Sequence, residues 1–150
     1  MTDQILLVIN DADAIIALVN EEDANHEKAV IISEILIKRN AIVITPVTAV
    51  IEAATALKRV INRSDLVKVI VKACMAGDIS IVDVHADILP EAMQFFNPDG
   101  SKQDTMFDAV VAAMAKRHNA QAIFSFDQGY KKTGILLVEE FIESNLTSGD

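Results

Sequence analysis

Asp104 and Asp108 stand four residues apart in the stretch 101–116, SKQDTMFDAVVAAMAK. At that spacing two carboxylates share one face of a helix. Like charges so placed repel, mildly in water and more where apolar neighbours exclude it. A helix that carries them uses them as caps or uses them to hold a cation. Four other acids raise the same question. Asp11 and Asp13 follow the apolar run 5–9, Glu52 lies within VTAVIEAATAL, and Asp127 closes the run 122–126. Carboxylates that converge without basic partners relieve their repulsion by sharing a divalent ion, and oxygen donors suit Mg²⁺ or Mn²⁺. Such ions activate water and offset the charge that grows on a phosphate.

Whether the acids meet depends on the elements that carry them. Residues 5–9 (ILLVI) read as a strand buried on both faces, and a helix over 14–19 follows, with Asp11 or Asp13 as its cap. After a polar break at 21–25, Ala29, Ile32, Ile35 and Leu36 mark a helix over 27–39. Residues 41–44 form a second buried strand. Thr45 and Pro46 read as cap and first residue of a helix reaching about 61. Ser64 caps a helix that ends near Gly77. A third strand covers 79–84, a helix 86–96 and a turn 97–100 (NPDG). A helix from near Asp104 to about Asn119 leads to a fourth strand over 122–126. A loop over 128–134, a fifth strand over 135–138 and a helical turn or two over 139–145 complete the pattern, and 146–150 fray. The alternation predicts one domain over 1–150: a three-layer α/β/α fold around a mainly parallel five-stranded sheet. Ligands of such sheets bind at the carboxyl ends of the strands, and all six acids fall near that edge.

Composition narrows the field. The 150 residues are 51% apolar and 23% charged, with a formal net charge of −9. That is a globular chain and the wrong sign for a protein that coats nucleic acid. One cysteine, Cys74, excludes an internal disulfide and fits a reducing cytoplasm. The three histidines lack zinc spacing. No secretory leader and no bilayer-spanning apolar run is evident.

The segments NDADAIIAL, a Glu on the helix after TPVT, DTMFDAVVAAMA and IFSFD, in that order, resemble the PIN domain family. They are similar in particular to the VapC-like ribonuclease toxins of toxin–antitoxin pairs, and the resemblance covers 5 to about 140. It implies an acid quartet at Asp11, Glu52, Asp108 and Asp127 that binds Mg²⁺ or Mn²⁺ and hydrolyses RNA to a 5′-phosphate and a 3′-hydroxyl. Asp104 then serves as an accessory acid. It also implies an antitoxin partner and a homodimer. Where the family has two small, commonly hydroxylic residues after the first acid, this chain has Ala12 and Asp13. Asp13 is then an added ligand or a cap. Arg59 lies seven residues after Glu52, about 20° away round the helix. With Arg63, Lys102, Lys131 and Lys132 it is a candidate contact for RNA phosphates. Of the aromatic candidates for base stacking, Tyr130 is left open, while Phe107 and Phe126 are expected in the core.

Plainer readings stand beside these. Asp11, Asp13 and Asp104 can simply cap helices, the last in a box Ser101-x-x-Asp104. Asp127 can be a turn residue, and the basic residues a solvated face. Asp108 and Glu52 are harder to dismiss, because each sits in a helix among apolar neighbours. Two other functions compete. A haloacid-dehalogenase-like phosphatase would use Asp11 as nucleophile and Asp13 as acid/base, but needs a closing acid pair that FSFD lacks. A non-catalytic scaffold would have lost the chemistry, and the Ala12-Asp13 departure is compatible with it.

Overall fold

The computed structural model describes residues 4–148, with side chains described through 145. Five strands form one sheet in the order β3-β2-β1-β4-β5. They are β1 (Leu7–Asn10), β2 (Ile42–Pro46), β3 (Ile81–Val82), β4 (Ala122–Phe124) and β5 (Leu136–Leu137). Every pairing is parallel, so the sheet is wholly parallel. Strand β1 is central because its residues are apolar on both sides. Leu6 and Val8 pack with Ala17 of α1 (Ala12–Val19), Leu36 of α2 (His26–Lys38) and Ile142 of α7 (Val138–Ser148). Ile9, Ile44 and Ile123 pack on the opposite face against Val111, Ala112 and Ala115 of α6 (Met106–Arg117).

Helix α6 is the most enclosed helix of the fold, buried without a break from Ala109 to Ala115. Its far side, with Ala113 and Met114, is covered by Ile88 and Ala92 of α5 (Ile88–Ala92). The run of small side chains is what lets a helix be sandwiched this way. Arg117 at its end ties α5 down by hydrogen bonds to Asp87 and Glu91. Beyond the carboxyl edge of the sheet, α3 (Val47–Arg59) and α4 (Ser64–Ala76) form a hairpin. Its Ala49, Ala53, Leu57, Leu66 and Ile70 pack on Ala12 and Ile15 of α1. Helix α4 stops at Gly77, whose φ of +82° is the left-handed ending expected there. Asn40, Asn62 and Asn119 take the same conformation just past α2, α3 and α6, a role the sequence reading did not assign them.

Several boundaries differ from expectation, each for a local reason. Thr45 and Pro46 end β2 instead of opening a helix, because the Thr45 N–H donates to Ser80 O at 2.8 Å and Pro46 pairs with Val82. Pro46 has no N–H to continue the ladder, and β3 is correspondingly two residues long. The helix over 86–96 contracts to α5. Helix α6 begins at Met106 with Thr105 as its extended N-cap, so the capping box is Thr105-x-x-Asp108 and not Ser101-x-x-Asp104. Strand β4 ends at Phe124, because the Phe126 N–H turns to Asp13. The loop after Asp127 is a 3-10 helix, Gln128–Thr133. Helix α7 runs through 148, longer than a turn or two, and the rest of the expected fray, 149–150, lies outside the described residues.

Candidate metal centre

The order of the strands fixes where the site forms. The chain leaves β1 for β2 on one side and returns later to β4 on the other. The carboxyl end of β1 therefore opens on the crevice at the point where the strand order reverses. Asp11 sits there as the N-cap of α1, only 3% exposed. Its Oδ1 accepts the Ala12 N–H at 2.7 Å and its Oδ2 accepts the Tyr130 hydroxyl at 2.9 Å. Asp108 reaches the crevice from the first turn of α6. Its Oδ2 accepts both the N–H and the hydroxyl of Thr105 at 3.2 Å, and its Oδ1 lies 3.4 Å from the Tyr130 hydroxyl. Glu52 comes from α3, held over the crevice by the packing of α3 on α1. Its Oε2 is buried with no hydrogen-bond partner. One carboxylate oxygen from each of Asp11, Glu52 and Asp108 lies within 4.8 Å of the others.

Asp127 stands outside that group of three. It is exposed, caps the 3-10 helix, and its Oδ1 accepts the Gly129 N–H at 2.8 Å. It is still close enough for its charge to act on Asp108, Glu52 and Asp13. Asp104 is ion-paired with Lys132. A Cβ on Gly129 would fall 3.0 Å from Asp127 Oδ1 and 3.4 Å from Asp104 Oδ1, so this glycine is the spacer between those two carboxylates. A cleft of about 200 Å³ opens beside the acids, lined among others by Phe95, Phe96, Asp104, Asp108, Asp127 and Lys132.

Asp13 does not behave as a simple cap. Its Oδ2 accepts the Ser125 hydroxyl at 3.0 Å and the Phe126 N–H at 2.8 Å, which pins α1 to the corner after β4. Its Oδ1 is buried without a partner. The acceptor role separates two substitutions. Asp13→Asn keeps an acceptor oxygen and removes a charge, whereas Asp13→Ala strands two donors. The Ala protein is expected to be less stable than the Asn protein by about 1–3 kcal/mol in urea unfolding.

The cluster is electrostatically expensive. Burial, then the charge of Asp13, pushes Asp11 up to about 8. Burial, then Asp108, Asp13 and Asp127, pushes Glu52 up to about 7. Asp108 and Asp13 are raised as well, each mainly by burial. Among the described residues no Lys or Arg forms an ion pair with Asp11, Glu52 or Asp108. Converging oxygen donors, an unpartnered Glu52 oxygen and the lack of a basic counter-charge suit a hard divalent cation such as Mg²⁺ or Mn²⁺.

The basic residues are more scattered. Arg59 is exposed at the end of α3, Lys102 and Lys131 are exposed outside the lining of the cleft, and Lys132 lines it. Arg63 is held by Asp65 in a two-point pair at 2.9 and 3.0 Å. Phe126 packs against the core as expected, whereas Phe107 does not. Phe107 is 42% exposed, while Tyr130 is 3% exposed and packs with Val111, Ile123 and Leu137. Its hydroxyl is the site contact that sequence reasoning missed. No periodic signal marked it, because the 3-10 helix that carries it is only six residues long.

The profile of the PIN domain matches residues 8–136. The chain belongs to the PIN domain family. That sets aside the haloacid-dehalogenase reading, as does the engagement of Asp13 with the β4 corner. Among solved structures, this PIN domain is similar to VapC20 of Mycobacterium tuberculosis, described as a sarcin–ricin loop cleaving toxin. The identity is 19% and the TM-score 0.72, over 86% of this chain and 96% of that one. It is also similar to VapBC2 of Rickettsia felis bound to a DNA fragment from its promoter (11%, TM-score 0.60, 88% and 96% covered). A third is PAE2754 of Pyrobaculum aerophilum (16%, TM-score 0.58, 95% and 96% covered). At these identities the likeness is one of fold. No curated protein matches. Among the described residues no helix of this PIN domain is long and apolar enough to cross a membrane.

Proposed function

We propose that this PIN domain is a Mg²⁺- or Mn²⁺-dependent endoribonuclease, the toxin of a type II toxin–antitoxin pair acting in the cytoplasm. The observation that carries the reading is the convergence of Asp11, Glu52 and Asp108 oxygens within 4.8 Å, at the switch point of the sheet. The fold likeness to VapC20, a toxin that cleaves the sarcin–ricin loop, supports RNA as substrate. The likeness to VapBC2 supports an antitoxin partner. Ile51 on α3, Val60 just past its end and Met75 on α4 are exposed and offer apolar surface for a homodimer.

In this reading Asp11, Glu52 and Asp108 hold the cation, with Asp127 completing the set from the rim. Asp13 and Asp104 are accessory. The cation, when bound, lowers the pKa of water and neutralises charge building on the scissile phosphate. The residues do the rest by position. Asp11 and Asp108 are fixed by Ala12, Thr105 and Tyr130 before any substrate arrives, so little reorganisation is left for the reaction. Lys102, Lys131, Arg59 and Arg63 draw RNA toward a chain whose net charge repels it, which makes binding salt-dependent. Hydrolysis leaves a 5′-phosphate and a 3′-hydroxyl, with no covalent enzyme intermediate.

The test is direct. Thermal unfolding with Mn²⁺ at about 100 times its Kd should show about 2.7 kcal/mol of added stability. A labelled single-stranded RNA should be cut in Mn²⁺ or Mg²⁺ and left whole in EDTA. Cation binding without cleavage of any RNA would favour the scaffold, and no stabilisation by either ion would sink the metal centre.

A further inference from the structure

We infer that Tyr130 is a positioning residue that sets the affinity of the acid cluster for its divalent cation. The inference rests on the metal-centre reading above and adds a residue to it. Four donors fix the two aspartates that meet at the crevice: the Ala12 N–H, the Thr105 N–H and hydroxyl, and the Tyr130 hydroxyl. Three of these act on one carboxylate each. Tyr130 alone reaches both, at 2.9 Å from Asp11 Oδ2 and 3.4 Å from Asp108 Oδ1.

The ring cannot drift to suit either partner. It is buried against Ile123 and Leu137 from the sheet and Val111 from α6. Its backbone belongs to the 3-10 helix that Asp127 caps. The phenol therefore ties three walls of the site to one point: the end of β1, the start of α6 and the turn after β4. The single hydroxyl proton is shared, with Asp11 Oδ2 at 2.9 Å the stronger arm and Asp108 Oδ1 at 3.4 Å the weaker. Each aspartate oxygen it touches keeps a further lone pair for a cation. A donor of this kind limits the torsional freedom of the ligands and spares the cation the work of gathering them. Loss of such outer supports typically costs about 10–100-fold in metal affinity.

The sequence supplies an uncommonly clean test. Tyr130 is the one tyrosine of the chain and there is no tryptophan. Its near-ultraviolet absorbance and fluorescence therefore report this hydroxyl alone among the stronger chromophores. Titrating the full chain with Mg²⁺ should produce a saturable tyrosine difference spectrum whose midpoint matches the Kd from calorimetry. Tyr130→Phe keeps the ring and its packing, so its melting temperature serves as the folding control. Its Mn²⁺ Kd should rise about tenfold or more, and kcat on RNA should recover at high Mn²⁺ with KM for RNA unchanged. A wild-type protein that binds the ion calorimetrically with no tyrosine signal would overturn the inference and leave the metal centre standing. So would a Phe variant whose Kd stays within twofold. A wild-type protein that binds neither ion would overturn both.

Discussion

Asp108→Asn should abolish Mg²⁺-dependent RNA cleavage while leaving the fold intact. The amide keeps an oxygen that can accept from Thr105, so the cap of α6 survives. What disappears is one of three converging negative charges. In the proposed reaction, several kcal/mol of charge stabilisation at the phosphate would come from the ion these carboxylates would hold. Losing about 4 kcal/mol of it is roughly a thousandfold in rate. The melting temperature of the metal-free variant should be equal to or above that of the wild type, because burial of Asp108 beside Asp127 makes its charge unfavourable. Lost activity combined with a retained or raised melting temperature separates a ligand from a structural residue. Full activity in the variant would remove Asp108 from the site.

The second large effect is an inverted pH dependence. Asp11 moves from an ordinary 3.8 to about 8 and Glu52 from 4.5 to about 7. Between the unfolded and folded values the native state holds protons that the unfolded chain lacks. Unfolding then releases protons, so stability falls as pH rises. The contribution is complete below the unfolded values and is lost as pH climbs through about 7 and 8. At about 1.4 kcal/mol per pKa unit, buried Asp11 carries most of a swing of several kcal/mol, and half-exposed Glu52 adds a smaller part that solvent screens. In EDTA, the melting temperature should drop between about pH 5 and 8, a range where proteins are ordinarily near their best. Mn²⁺ should reverse the slope, because ligands must shed protons to bind it and affinity tightens with pH. A metal-free protein whose melting temperature rises across that range would contradict the proposed crowding of carboxylates.

The features that were legible in the sequence are those set by long, uniform patterns. The apolar runs at 5–9, 41–44 and 122–126 gave strands of a parallel sheet, because a strand covered on both faces has no room for alternation. The acids were legible for a related reason: a carboxylate at the end of such a run has only the carboxyl edge to go to. Short-range choices between equivalent patterns were not legible. Ser101-x-x-Asp104 and Thr105-x-x-Asp108 both satisfy a capping box, and the packing of α6 against the sheet selects the second. That shift of four residues turned Asp108 from an acid inside a helix into one in its first turn. Asp13 was hidden because its partners, Ser125 and Phe126, lie over a hundred residues away. Tyr130 was hidden because a six-residue 3-10 helix has no periodicity to read.

The pairing of β1 with β4 has a consequence in time. Val8 lies beside Ala122 and Ile9 beside Ile123, so the two strands that flank the crevice are among the most widely separated partners in the chain. Non-local parallel pairing is slow to form, since the intervening loop must be closed before its contacts repay the entropy. Asp11 is made early and has its capping bond at once, but its phenol partner is the hundred-and-nineteenth residue after it. During synthesis the acid cluster stays in pieces until β4 and the turn that carries Tyr130 have emerged and folded back on β1. For a protein that would attack RNA, the topology delays competence until residues 122–130 have joined the sheet. Truncations before residue 127 should accumulate without harm to the cell that makes them.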